Sequence, residues 1–362
     1  MENWVPGLPP LPWQVAPEDP PDTEIVAEFE GEWEPKRECV FYGPVQPSWL
    51  HDRPDPKPSS TLRLRRFHDV IVAPHHVILS YRDGRLLPVT FALGTRWSLL
   101  KPGFADQVAE QWFNPMRCPG DPLRTDSPCF LAEGGWDHFG HTLLEMMPKL
   151  AMRSSAGEAT VVSSARYLNA FFEALGADPS GLAIFRGPLF CKTLFVPDPP
   201  IDLSGNFHSL ARRAYADLCH MVGAGPPNGR RIFLSRAAVP VRPLSNEREV
   251  EALFARYGFE IVALETMPLA DQIRLIASAE MIAGGGGSAM HALVFADART
   301  RALVLNSDRW LSPIDQFIAQ QHRQLAYVLG SSVPQDGKPS REWSWSVDIS
   351  LVEHAIHEHF GL

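Results

Sequence analysis

From Leu210 to Gln321 the chain alternates short apolar runs with segments of helical period, and this restricts its fold more than any other feature. The apolar runs are Arg231-Ile232-Phe233-Leu234, Phe259 to Leu264, Met281-Ile282-Ala283 and Ala302 to Leu305. Between them the period predicts helices at Glu247 to Tyr257, Leu269 to Ala277 and Ala289 to Phe295, with flanking helices at Leu210 to Met221 and Pro313 to Gln321. Strands separated by helices of about 10–15 residues imply right-handed crossovers and a parallel sheet. A looser alternation begins near Phe139: helical period over His141 to Met152, a strand at Ala159 to Val162, a helix at Ala165 to Leu175, and strands at Leu182 to Phe185 and Leu189 to Val196. Upstream, Leu62, Leu64, Phe67, Val70 to Val72 and Val77 to Leu79, followed by Asp83-Gly84, predict short strands and a hairpin. The expected class is α/β, with two Rossmann-like domains over residues 61–200 and 201–330, joined near Pro197 to Ser204, and a tail with a helix over 331–362.

Residues 1–60 read differently. They hold 13 of the 34 prolines and 12 Asp/Glu against 4 Lys/Arg, which leaves 30 acidic against 29 basic residues for the rest of the chain. Such a stretch is expected to form no regular structure and to be dispensable for the fold, unless Trp4, Trp13 or Trp33 anchors it. A body so close to neutral argues against a nucleic-acid-binding role that depends on neutralising phosphates, and leaves phosphate recognition to local sites. The five cysteines, Cys39, Cys118, Cys129, Cys191 and Cys219, are odd in number and scattered, so reduced thiols are expected and neither a disulfide framework nor a zinc knuckle. The amino terminus MENWVPGLPP lacks a basic n-region followed by an apolar stretch, and nowhere do about 18 apolar residues run uninterrupted. The expectation is a cytoplasmic protein, with peripheral association at the inner membrane left open. Arg outnumbers Lys 27 to 6, beside abundant Ala and Pro, as in a GC-rich bacterial genome.

Three constellations offer chemistry. Gly284-Gly285-Gly286-Gly287-Ser288 lies between an apolar strand and a helix, where a tight turn and free helix N–H groups suit an anion such as a diphosphate; a tight turn packed under a neighbour is the plainer alternative. His138, His141 and Glu145 fall near one helical face in WDHFGHTLLEMMPKL. A His sharing a proton with a carboxylate can take one from a sugar hydroxyl; capped structural residues and a metal site remain alternatives, the last without an identifiable fourth ligand. Arg236 and Arg242 follow a strand in a Pro-punctuated loop that enters a helix capped by Ser245 or Asn246. Their forks suit phosphate, and surface pairing with Glu247 or Glu249 is the competing reading. In the last helix His354, His357 and Glu358 read as a solvated face, and Trp343, Trp345 and Val347 alternate like an edge strand.

Together these segments, over roughly Phe67 to Leu329, resemble the family-61 glycosyltransferases. HFGHTLLEMMPKL resembles that family's first motif and carries over His141, Glu145 and Pro148; IFLSRAAVPVRPLSNEREV carries over Ser235, Arg236, Arg242, Asn246 and Glu247. GFEIVALETMPLADQIRLIASAEMIAGGGGSAMHALVF is similar to the family's last segment and assigns Gly258, Glu265, Gln272, Gly284, Gly287 and Phe295. The resemblance implies a GT-B-like fold, two parallel-sheet domains facing a cleft, and an inverting, metal-independent transfer of sugar from a nucleotide-sugar donor to a glycan or glycolipid, as in capsular or exopolysaccharide synthesis. No cofactor is expected beyond the donor. His141 oriented by Glu145 would be the base; Arg236, Arg242 and the amides of Gly285 to Ser288 would hold the diphosphate, with Asn246 and Glu265 near base or ribose. The chain departs from the family where Gly286 replaces a common His, Ala292 an Asn, and His138 an Asn; His291, one turn along, is the candidate substitute.

Two other readings stay open. Gly284, Gly286 and Ala289, with Asp308 after the next strand, satisfy a loose dinucleotide fingerprint, which would make the chain an NAD(P)-dependent oxidoreductase. The altered glycine turn would also fit a non-catalytic relative that binds nucleotide or glycan.

Overall fold

The computed structural model describes residues 13–34, 39–43, 60–91, 105–109, 112–115, 123–201, 206–309, 324–339 and 342–362. The helix expected at Pro313 to Gln321 lies outside them, as do Trp4 and Cys118. The chain divides into two compact units, residues 1–33 with 57–214 and residues 34–56 with 215–362. The division thus falls inside the helix Ser209–Met221, where the sequence reading placed it near residue 200.

The first unit contains β1 (Trp13–Gln14), β2 (Glu24–Phe29), β4 (Leu62–Ala73), β5 (Val77–Ser80), β6 (Ala105–Ala109), β7 (Trp112–Pro115), β8 (Leu123–Thr125), β9 (Cys129–Leu131), β10 (Thr160–Ser163), β11 (Leu182–Ile184) and β12 (Leu189–Pro197). Its main sheet runs β11-β10-β9-β12-β4-β2. The first four strands are parallel, whereas β4 joins β12, and β2 joins β4, antiparallel. The parallel sheet expected over 61–200 is therefore a mixed one. Part of the reason is local: only Pro74, His75 and His76 separate β4 from β5, and so short a link permits a hairpin but no crossover. Phe67, Val70, Val72, Leu131, Val162, Cys191 and Leu194 form its core.

The expectation that residues 1–60 carry no regular structure is corrected by β2, which lies at the edge of this sheet. The acidic residues of β2 and of the segment before it face a row of arginines: Glu28 pairs with Arg63 at 3.0 Å, Glu24 pairs with Arg66, and Asp19 lies 3.8 Å from Arg65. The acidity that reads as solvation is complementary to one strand. Trp33 also packs edge-on against His208, with ring centroids 5.1 Å apart.

The second unit contains β3 (Val40–Tyr42), β13 (Arg230–Leu234), β14 (Glu260–Val262), β15 (Ala279–Gly285), β16 (Arg301–Ser307), β17 (Leu325–Ser332) and β18 (Trp345–Ser346). Its sheet runs β14-β13-β15-β16-β17, all parallel, and β17 also takes β3 in parallel and β18 antiparallel. The helix Glu247–Arg256 buries Val250, Leu253 and Phe254 at spacings of three and four, carries Glu247 and Glu249 in its first turn and Arg256 in its last. That charge order matches the helix dipole, and each buried side chain contributes about 1.5–3 kcal/mol. Gly258, at φ 79°, lets the chain leave the helix toward β14. Residues 331–362 belong to this core and do not form a tail: Trp345, Val347, Val352, Ile356 and Phe360 pack with Phe233, Phe254 and Leu303. The architecture is α/β. No helix among the described residues is long and apolar enough to cross a membrane.

Candidate active site

Strand β13 has β14 on one side and β15 on the other. The chain leaves β13 toward one edge and returns to lay down the remaining strands on the opposite side, so the loops after β13 and β15 diverge. In open parallel sheets such a switch point, at the carboxyl ends of the strands, is where ligands bind. Here the loop after β13 carries Arg236 and the turn after β15 carries the glycines.

The two are joined directly. Arg236 donates through its guanidinium to Gly286 O and, at 3.0 Å, to Val241 O, while its backbone N–H donates to the buried Glu247 carboxylate. The glycines are required by close approach: a Cβ at Gly284 would lie 2.8 Å from Leu234 O, one at Gly286 2.8 Å from the Asn306 amide, and one at Gly287 2.7 Å from an Arg236 nitrogen. Gly287 also stands at φ 145°. Gly286 N–H is already donated to Leu305 O at 2.7 Å. Of the expected amide donors, those of Gly287 and Ser288 are thus best placed for a ligand, since the first N–H groups of a helix have no acceptor within it. That helix, Ser288–His291, is only four residues long and holds His291 buried at its end.

Arg242, at φ 52°, packs with Arg236, Glu247, Gly285 and Trp345 around a narrow crevice. Burial pushes the Glu247 carboxyl up, against the Arg236 N–H that pulls it down. Two expected contacts are placed otherwise. Asn246 makes no helix cap; its amide donates to Val347 O at 2.8 Å and accepts from Val347 N–H at 3.3 Å, tying the loop to the C-terminal segment. Glu265 is exposed on a short turn, Leu264–Thr266, near enough to Glu247 to raise that carboxyl's pKa. Asp308, the acidic residue of the dinucleotide reading, accepts from Ser332 N–H at 2.9 Å. A cavity of about 590 Å³ opens at the amino ends of β13 and β14, but its Arg230 is paired with Glu260 at 3.4 Å and its Arg274 with Asp271 at 2.6 Å.

The first unit holds the other constellation. The helix Phe139–His141 continues through turns to Ala156 and buries His141, Glu145 and Lys149. His141 Nδ1 is hydrogen-bonded to Glu145 Oε1, and Glu145 Oε2 accepts from Gly135 N–H at 2.7 Å. Burial works to raise the Glu145 carboxyl, yet His141, the Gly135 N–H and Lys149 together hold it below its ordinary value. An ionised carboxylate only accepts, so His141 Nδ1 carries a proton and donates it to Glu145. This is the arrangement of a base with its orienting group. His138 is exposed, its ring 4.5 Å from that of His141. Among the described residues no group of three or more His, Cys, Asp or Glu is arranged to hold a metal ion.

Against models of known families, residues 139–303 match that of Glycosyltransferase 61. The matched segment is similar to glycosyltransferase family 61. It begins two residues before His141 and ends within β16, so it takes in the His141 and Glu145 pair, Arg236 and the glycine turn. A comparison with curated proteins gives no match.

Residues outside the three sequence constellations complete the first of these sites. Glu133, buried, accepts from Ser164 N–H and Ser164 Oγ, each at 2.6 Å, and from His75 N–H at 3.2 Å. Lys149 donates to Glu133 O at 2.7 Å. Gly134 lies against Glu145, where a Cβ would come within 2.7 Å of Oε2. The signal for them was slight: a lone acid before Gly134-Gly135, directly after the apolar run of β9.

Proposed function

We propose that the protein is an inverting glycosyltransferase that moves a sugar from a nucleotide-sugar donor to a hydroxyl of a glycan or glycolipid, in a GT-B arrangement and without a metal. The acceptor oxygen attacks the anomeric carbon from the face opposite the diphosphate. The bond to the diphosphate breaks with its electron pair, and the hydroxyl proton passes to His141 Nε2. Glu145 stabilises the imidazolium that results, as a buried carboxylate does for a histidine base. Arg236, with Arg242 and the Gly287 and Ser288 amides, holds the leaving diphosphate and offsets its growing charge.

The observation that carries the reading is the seating of Arg236 on the Gly286 and Gly287 turn at the switch point, within the family-61 segment. A peripheral membrane location, cytoplasmic side, follows only if the acceptor is lipid-linked. The test is a thermal-shift panel of nucleotide sugars, nucleoside diphosphates and NAD(P), with and without chelator. Stabilisation by a nucleotide sugar that survives the chelator is the expected result, since a ligand of the native state raises its melting temperature by mass action. Stabilisation by NAD(P) alone would replace this reading with hydride transfer.

A further inference from the structure

Beside His141 the first unit carries a second set of rings that the transfer chemistry above leaves unused. The turn between β4 and β5 places His75 and His76 at φ 68° and 62°. For consecutive residues with a Cβ this backbone is unfavourable and persists only where the surroundings impose it. They do so here. His75 N–H donates to Glu133 Oε1 at 3.2 Å, His75 Nδ1 meets Gly135 O at 3.0 Å, and the buried His76 ring reaches Val89 O at 3.2 Å.

A carbonyl oxygen only accepts, so Nδ1 of His75 carries the proton and Nε2 is an acceptor on a half-buried ring. Burial lowers the pKa of this imidazole against the opposing pull of Gly135 O and Asp137, which keeps it neutral at pH 7. Trp136 neighbours both imidazoles, its ring centroid 6.3 Å from that of His75 and 6.3 Å from that of His141. Trp136 is half-buried and His138 beside it is exposed, so part of this group reaches solvent. A partly exposed aromatic face flanked by fixed hydrogen-bond acceptors suits a ligand with one apolar face and hydroxyls around its rim.

We propose that Trp136 and His75 form a subsite for a pyranose ring of the acceptor, the C–H face of the sugar packing on the indole and one ring hydroxyl donating to His75 Nε2. The proposal rests on the transferase reading and narrows its acceptor to a sugar hydroxyl presented beside His141. The strain in the hairpin then has a use, because it aims His75 at the same loop that supplies Gly135 N–H to Glu145.

The test is saturation-transfer NMR on the full chain, with methyl glycosides of glucose, galactose, mannose, xylose, rhamnose and N-acetylglucosamine as probes. The wild-type protein and the variants His75→Asn, chosen because Asn tolerates a left-handed backbone, and Trp136→Leu are compared. Saturation on one face of at least one glycoside, weakened about fivefold or more in both variants at an unchanged melting temperature, is the expected result; this is the size of one neutral hydrogen bond. If His75→Asn fails to fold, Trp136→Leu decides alone. No glycoside bound by the wild type, or equal binding by all three proteins, overturns the proposal. Calorimetry with nucleoside diphosphates runs in parallel: their failure to bind the wild type would refute the transferase reading, while the glycoside result still decides the subsite.

Discussion

Lys149 donates from Nζ to the backbone carbonyl of Glu133 at 2.7 Å, and neither side chain reaches solvent. The Glu133 carboxylate turns away from that ammonium to Ser164 and His75. The segment from Glu133 to Gly135 is therefore held from two sides and presents Gly135 N–H to Glu145. Charges buried in this way strain the fold electrostatically even when hydrogen-bonded, and their titration should be visible in stability.

Burial pushes the Glu133 carboxyl from 4.5 up to about 7, against Ser164, His75 and Lys149, and brings Lys149 from 10.5 down to about 8, against Glu145 and Glu133. Between pH 4.5 and 7 the folded chain holds a proton on Glu133 that the unfolded chain has lost, so stability falls as pH rises. Between pH 8 and 10.5 the unfolded chain holds the extra proton, on lysine, and stability rises with pH. Each slope is at most about 1.4 kcal/mol per pH unit. Urea midpoints measured across this range should show Glu133→Gln flattening the lower limb and Lys149→Met the upper.

Gly134→Ala should destabilise the protein by about 1–3 kcal/mol, as overpacking does. Its Cβ would lie 2.7 Å from Glu145 Oε2 and 3.0 Å from Met146 Cε. Because the displaced atom belongs to the proposed base pair, turnover measured well below the melting temperature should fall further than stability does.

Replacing His141 by Ala or Glu145 by Gln should cut turnover by about 10²–10⁴, the contribution of a positioned base. Donor affinity, read by calorimetry, should stay nearly unchanged, because the loss is confined to the transition state. Wild-type turnover in a stable His141→Ala variant would point to His291 as the next base to test.

Arg236→Ala should weaken nucleoside-diphosphate binding by about 1.5–3 kcal/mol, the size of a hydrogen bond to a charged group, and Arg242→Ala similarly. Arg236→Lys should recover little. The fork spans Gly286 O and Val241 O at once, which an ammonium on a flexible stem does not reproduce. Calorimetry with unchanged affinity in both Ala variants would move the diphosphate elsewhere.

Deleting residues 1–60 should abolish a single cooperative melt. It removes β2 with its ladder to Leu62, Leu64 and Arg66, and takes Trp33 from His208. A truncated chain that melts as sharply as the full one would show that these strands add nothing.

The second unit was readable because strands buried on both faces are written as unbroken apolar runs, such as Ile232 to Leu234 and Met281 to Ala283, with helical periods between them. The glycine turn was readable for a related reason: only glycine fits beside Leu234 O and Asn306. Residues 24–29 were not. An edge strand whose acids are neutralised by a distant Arg63 and Arg66 looks, in one dimension, like a solvated tail. Lys149 and Glu133 escaped because charged residues read as surface unless their partners are known. His75 escaped because nothing in Pro-His-His announces two consecutive left-handed residues, a conformation the sequence signals chiefly through glycine. Asn246 was legible as a loop residue next to a helix, but its tie to Val347 crosses a hundred positions that no local pattern reports.

The seating of β3 beside β17 has a bearing on how the protein is made and cut. This strand emerges from the ribosome before any of the first unit's core, and it finds Ala326, Tyr327 and Val328 only when nearly all of the chain has followed. Neither unit is a single uninterrupted stretch of gene. Expression of residues 215–362 alone would leave one side of β17 without its neighbour, an open edge ready to recruit strands from other molecules.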